Sequence, residues 1–210
     1  RGERWSPAGA ARLATWWSDC AGWLGYRIEV SQRTDANVTA DMNPVMIGPA
    51  TEDDLPGIVE ILNYTVANSM ASFATRPASV AERRDWFAQF SSTGPYRLLV
   101  ARRGDLVVGY AGSQRYRDHE AFRETVEMSV ALDASCRGQG VGSLLYQTLF
   151  DCLAGEPVHV ALAGIAIPND ASVALHRRFG FTEVGTFREY AVKNGQYISS
   201  LWMQRLFASC

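Results

Sequence analysis

The chain has 210 residues, 47% of them hydrophobic and 20% charged, with a formal net charge of −2. That supplies one substantial core and no basic footprint, which argues against nucleic-acid and anionic-membrane partners. No apolar run reaches the roughly 18 residues that span a bilayer, because Ser18, Asp19 and Arg27 interrupt the stretch from Leu13 to Val30. Cys20, Cys136, Cys152 and Cys210 are scattered, without the short paired spacings of a zinc site or the density of a disulfide scaffold. Reduced thiols in a cytoplasmic protein without a metal are the expectation.

Residues 1–44 hold Trp5, Trp16, Trp17 and Trp23 but no strand or helix period. Two readings stand for this extension: sequence upstream of a natural start at Met42 or Met46, disordered in the protein, or a docking segment. The domain proper is expected over 45–208. It begins with a short strand at Val45-Met46-Ile47, and Thr51-Glu52-Asp53-Asp54 caps a helix running to about Val66. Ser79-Val80-Ala81-Glu82 is a capping box that opens a second helix to about Phe90. Arg97–Arg102 and Leu106–Gln114 read as a hairpin around Arg103-Gly104-Asp105.

A polar loop, Tyr116–Glu124, leads into a strand over Thr125–Asp133, a glycine loop and a helix ending at Leu153. Val158–Ile167 reads as a strand, Asn169-Asp170-Ala171-Ser172 starts a helix to Phe179, and Phe181–Phe187 returns as a strand. Asn194-Gly195 marks a tight hairpin turn that leads into Tyr197–Leu206. The pattern predicts a mixed α/β (α+β) domain, with a central sheet of six or seven strands and helices on both faces.

Arg137-Gly138-Gln139-Gly140-Val141-Gly142 lies between the apolar strand and the helix that opens at Ser143. Glycines allow positive φ and close approach of the backbone, and the first amides of a helix attract anions. Arg137 adds a fixed charge. A Walker loop needs Gly-Lys-Ser/Thr after its spacer, and a dinucleotide fingerprint needs differently spaced glycines; the chain has neither at this loop. Downstream stand Asn169 and His176-Arg177-Arg178-Phe179-Gly180-Phe181.

Together these features resemble the GNAT N-acetyltransferase superfamily, whose acyl-CoA signature Arg/Gln-x-x-Gly-x-Gly/Ala is matched by Arg137, Gly140 and Gly142. The resemblance spans about Met46 to Phe207. Asn63-Tyr64, Ser72-Phe73, Thr125-Val126-Glu127 and Ile167-Pro168-Asn169-Asp170 are similar to the phosphinothricin and methionine sulfone acetyltransferase branch, which acetylates the α-amino group of small amino acids and their toxic analogues. The resemblance implies acetyl-CoA as co-substrate, a small amine as substrate, a detoxification role, a homodimer, and a strand pair that splays at Val130, Ala131 and Leu132 to admit the thioester.

An ammonium cannot attack a thioester, so a base must first take its proton. Family resemblance assigns that base to Glu127; the strand's imperfect alternation leaves a surface carboxylate open as the other reading. A backbone N–H near Val130 or Ala131 is the implied donor to the acetyl oxygen. For the leaving thiolate, His176 and Tyr146 are the candidate acids, with packing roles as alternatives. The amides of Gly138, Gln139, Gly140, Val141, Gly142 and Ser143 are expected to cradle the pyrophosphate and Asn169 to hold the pantetheine, unless Asn169 is only a helix cap. Cys136 is not expected to act, because direct transfer needs no nucleophilic thiol.

Arg117, His119 and Phe122 stand where the branch binds its substrate's acidic tail, and Phe73 lines the pocket or the core. His119 replaces a usual Arg, Phe122 a usual Tyr, Ala131 a frequent aromatic, and Ser199 an acidic residue. These departures imply a weaker anion grip and an altered pocket. Acetylation of another amine (a peptide N-terminus, a polyamine or an aminoglycoside) and a non-catalytic acyl-CoA sensor are the rival readings.

Overall fold

A computed structural model describes residues 44–207, together with the backbone of Tyr26–Arg27. The expectation for residues 1–44 otherwise lies outside the described residues. Strands β1 (Tyr26–Arg27), β2 (Val45–Pro49), β3 (Arg97–Arg103), β4 (Leu106–Arg115), β5 (Thr125–Leu132), β6 (Val160–Ile167), β7 (Thr182–Lys193) and β8 (Gln196–Leu206) form one sheet. Its order is β1-β2-β3-β4-β5-β6-β8-β7. Neighbours run antiparallel except β5 and β6, which are parallel.

Helices cover both faces. On one side α1 (Leu55–Asn68) and α2 (Val80–Phe87) pack over Leu98, Val100 and Tyr110; Pro56 sits in the first turn of α1, where the amide it lacks has no helical partner. On the other, α3 (Val141–Leu153) buries Leu145, Tyr146, Leu149, Phe150 and Leu153 at helical spacing against Val126, Met128, Ala161 and Met203, and α4 (Asp170–Arg178) joins it. Because β3 is covered on both faces, Leu98–Ala101 is buried throughout and shows no alternation.

The mixed sheet with helices on both faces is the architecture expected from the sequence. Three boundaries differ. The sheet gains Tyr26–Arg27, paired with Met46 and Ile47. Helix α2 stops at Phe87, and Phe90 closes a turn instead, its amide donating to Phe87 O at 3.1 Å. Strand β7 runs past Phe187 to Lys193, because a bulge within it between Phe187 and Ala191 absorbs the break in pattern. Glu189 takes a left-handed φ of 50° there and donates its amide to Ser199 Oγ at 3.0 Å.

The passage from β2 into α1 is fixed by a partly buried ion pair. Asp54, in a 3-10 turn before α1, accepts from Arg102 Nε on β3 at 2.7 Å and from the Thr51 amide at 2.7 Å. Burial opposes the charge on Asp54, but the Arg102 guanidinium and Thr51 overcome it and hold the carboxyl below its ordinary range. A carboxyl lowered by folding contributes stability above its unfolded pKa and loses it as pH falls through the folded value. Asp54→Asn is therefore expected to cost about 3 kcal/mol at neutral pH, read by urea unfolding, with the gap to wild type closing below about pH 4.

Candidate active site

The site follows from one failure of pairing. β5 and β6 are joined only over Thr125↔Val160, Val126↔Ala161 and Glu127↔Leu162. Beyond Glu127, β6 continues against β8 as far as Ile167↔Ser199, while β5 continues against β4 as far as Leu132↔Gly109. The two strands diverge with main-chain edges facing a gap at Met128–Leu132, which contains Val130, Ala131 and Leu132.

Past β5, Asp133 turns the chain by accepting from the Ser135 amide at 2.8 Å, and a 3-10 turn over Ala134–Cys136 leads to Arg137. Gly138 and Gly140 have φ of +74° and +83°, with no other heavy atom within 4 Å of where a Cβ would lie. Gly140 is the N-cap of α3 and no side chain caps this helix, so the amides at Val141, Gly142 and Ser143 meet no side-chain acceptor. Gln139 pins the loop: its Nε2 donates to Ser135 O at 2.6 Å and its Oε1 accepts from Arg103 at 3.0 Å. Arg137 lies 5.9 Å from the Tyr64 ring centre. Open glycine backbone, uncapped amides and Arg137 together fit a pyrophosphate. Leu175 and Leu132 close under Gly142, where a Cβ would meet them at ordinary contact distances of 3.5 and 3.4 Å.

Glu127 sits where the paired and splayed halves of β5 meet, directly opposite Gln114 of β4. Burial pushes its carboxyl above the ordinary value, against an opposing contribution from the Gln114 side chain. The two acid candidates touch each other: Tyr146 Oη and His176 Nε2 are 2.8 Å apart, both side chains are buried, and His176 Nδ1 faces Ser172 O at 2.7 Å. A carbonyl only accepts, so Nδ1 carries the imidazole proton and Nε2 receives the phenol's. Burial holds His176 below its usual range and pushes Tyr146 up, so the pair is neutral at physiological pH. Asn169 Oδ1 caps α4 by accepting from the Ser172 amide at 3.2 Å; its Nδ2 takes no part in that cap. Cys136 is buried.

The acceptor side carries the substrate candidates on a loop and an aromatic row. Arg117 lies over the rings of Tyr116 and Phe122, at 5.0 and 5.6 Å. His119 Nδ1 accepts from the Ala121 amide at 3.2 Å, which turns one nitrogen of the expected anion contact into a cap. Tyr116 leans on Trp202 of β8, Trp202 on Phe187 of β7, Phe187 on Tyr190, and Tyr190 on Phe73 in the α1–α2 connection. Lys193, buried at the end of β7, ties that connection down by donating to Ser69 O and Ser72 O at 2.7 and 3.1 Å. Gln114, Trp202 and Lys193 escaped the sequence reading, since their partners lie on distant strands; the register of β4 against β5 would have paired Gln114 with Glu127. Among the described residues no three His, Cys, Asp or Glu side chains gather as a metal site, and no helix is long and apolar enough to cross a membrane.

A splayed parallel pair followed by a glycine loop and an uncapped helix has clear relatives. The chain is 43% identical over 163 residues to phosphinothricin N-acetyltransferase of Streptomyces coelicolor, which covers 77% of this chain and 95% of that protein. It is 36% identical over 151 residues to the L-methionine sulfoximine/L-methionine sulfone acetyltransferase of Pseudomonas paraeruginosa, covering 72% and 88% of the two chains. A crystal structure of a phosphinothricin acetyltransferase from Sinorhizobium meliloti in complex with acetyl-CoA superposes with a TM-score of 0.72 at 31% identity, over 78% of this chain and 89% of that one. Residues 63–181 match the acetyltransferase (GNAT) family model, a span that includes β3 to β6, the glycine loop, α3 and α4. By this match, and by relatives aligned over most of their own length, the chain belongs to the acetyltransferase (GNAT) family.

Proposed function

We propose that this protein is an N-acetyltransferase that moves acetyl from acetyl-CoA directly to the amino group of a small amino acid or amino-acid analogue of the phosphinothricin or methionine sulfone type, in a detoxifying role in the cytoplasm. The observation that carries the proposal is a partly buried carboxylate, Glu127, at the point where β5 leaves β6, with a glycine-rich anion loop at the end of the same strand. The named activities of the relatives supply the substrate class.

When bound, acetyl-CoA supplies an activated thioester. The chain does the rest. Amides of residues 138–143 and Arg137 hold the pyrophosphate, and Asn169 Nδ2 meets the pantetheine arm. Glu127 takes the proton that an ammonium must lose, at a pKa raised toward the working pH by burial. A backbone N–H at Val130 or Ala131 donates to the acetyl oxygen. Tyr146 gives its one hydroxyl hydrogen to His176 Nε2 and His176 gives its Nδ1 hydrogen to Ser172 O, so in this arrangement neither offers a hydrogen to the leaving sulfur unless that bond is released. The thiol is a stronger acid than the phenol, so the sulfur leaves as a thiolate and needs no proton from Tyr146. Arg117, His119 Nε2, Phe122 and Phe73 receive the substrate's acidic tail and side chain. The Arg117 guanidinium and the His119 ring favour an anionic tail over a polyamine.

A second copy of the chain is the proposed partner. β7 is an edge strand, and it exposes Val184, Phe187, Tyr190 and Val192, each at least half accessible. Such an edge needs cover, and Tyr190 touches Phe73, so the cover borders the substrate pocket.

Three outcomes are expected. Thiol release from acetyl-CoA with phosphinothricin or methionine sulfone falls at least about 100-fold in Glu127→Gln, and wild-type kcat/KM declines on the acid side with a midpoint above an ordinary glutamate's. Release on polyamines or N-terminal peptides alone contradicts the substrate assignment. In Gly140→Val, a β-branched residue is forced to a φ of +83°, and calorimetry should report CoA binding weakened at least about tenfold. Light scattering should give a dimer for wild type and a monomer for Val184→Glu; a monomeric wild type contradicts the assembly.

A further inference from the structure

Glu127 has a neighbour whose orientation is fixed from outside the site. Gln114 stands directly across the β4–β5 ladder from it, and both point to the face covered by α1 and α2, as Tyr110 and Ala131 do four residues along the same strands. Side chains directly opposite in an antiparallel pair have Cβ atoms about 4.5–5.5 Å apart, within reach of a glutamine and a glutamate. A carboxamide has two chemically different ends, and either could turn toward the carboxylate. Trp86 of α2 removes that freedom. Its Nε1–H donates to Gln114 Oε1 at 3.2 Å. An indole nitrogen can only donate, so the amide oxygen must face α2 and the NH2 group is left for Glu127.

The indole is itself held. Phe90 meets it edge-on at 5.0 Å, Tyr110 at 6.4 Å, and the Arg83 guanidinium lies 5.9 Å from its centre. Tyr110 is buried under α1, so the chain of contacts runs from the core of that layer through Trp86 and Gln114 to the carboxylate. Of the titratable or charged groups facing this layer, Tyr110 and Arg83 lie against the indole and Asp54 and Arg102 pair with each other, while Gln114 stands directly opposite Glu127.

We propose that Gln114, oriented by Trp86, is a positioning residue for acetyl transfer: its amide NH2 donates to the Glu127 carboxylate and fixes the oxygens with which Glu127 receives the substrate's proton. This rests on the reading of Glu127 as the base. A donor to the ionised form favours that form, whereas burial opposes it, so Gln114 keeps the carboxylate usable at lower pH than burial alone would allow. Helix α2 thereby acts on the chemistry without touching substrate.

The test is the pH profile of kcat/KM for wild type, Gln114→Leu, Gln114→Asn, Trp86→Phe and Glu127→Gln, with CoA affinity by calorimetry as the check on folding. Loss of the donor raises the Glu127 pKa, so the acid limb of Gln114→Leu should move up by about one pH unit. Its deficit against wild type should be about tenfold below the limb and shrink as pH rises. Trp86→Phe and Gln114→Asn, which loosen the amide without deleting it, should move the limb in the same direction by less. A limb at the wild-type position in all three variants, or a deficit equal at every pH, overturns the proposal, since a packing role moves no limb. If Gln114→Leu fails to bind CoA, the other two variants decide in the same way. A Glu127→Gln enzyme that keeps its activity defeats the base reading itself; a dead Glu127→Gln beside unshifted Gln114 variants defeats only the positioning role.

Discussion

The divergence of β5 from β6 after Glu127 is the constraint on which the rest of the molecule depends. A parallel pair with full register would bury Met128–Leu132 in ladder hydrogen bonds and leave nothing for a ligand. Here β6 is taken over by β8 as far as Ile167, and β5 stays with β4 as far as Leu132, so the two halves of the sheet separate while each remains paired on its far side. The opening is therefore made without sacrificing either strand. The glycine loop and uncapped start of α3 lie at the end of β5, and Glu127 lies at the fork. One topological feature puts the proposed base on β5 and the proposed anion loop just past the end of that strand.

Much of this was legible in the sequence because the local rules agreed with the global fold. The capping box at Ser79 and Glu82 formed as written, with both reciprocal hydrogen bonds. The strand, glycine loop and helix over Thr125–Leu153 appeared in order, and the positive φ at Gly138 and Gly140 is the reason those positions carry no side chain. Asn194-Gly195 made its hairpin. What the sequence hid is long-range or irregular. No periodicity announces that β7 survives a bulge at Glu189, since a left-handed residue in mid-strand looks like a strand end. Lys193 reads as a turn lysine, yet it is buried and satisfied by carbonyls more than a hundred residues away.

The proposed site residues divide by the kind of force that holds them. Tyr146 and His176 are core members first; each completes the other's hydrogen bonding in a packed interior, where an unpaired polar atom is costly. Arg117, His119 and Phe122 sit on an exposed loop stiffened by ring contacts and a single cap, the arrangement that lets specificity change without disturbing the fold. Asn169 serves α4 with one end of its amide and leaves the other free. Of the departures from the branch pattern, His119 and Phe122 fall on the adaptable loop, whereas Ala131 lies in the splayed half of β5 and Ser199 on β8.

Amide hydrogen exchange with and without CoA is the most direct test of the fork as the acyl-CoA site, because it reads the main chain residue by residue. The account predicts that CoA slows exchange at Ser129–Leu132 and at Gly138–Ser143 together, and leaves β2 and β3 unchanged. Protection confined to other segments, with these two exchanging as in the free protein, would contradict it.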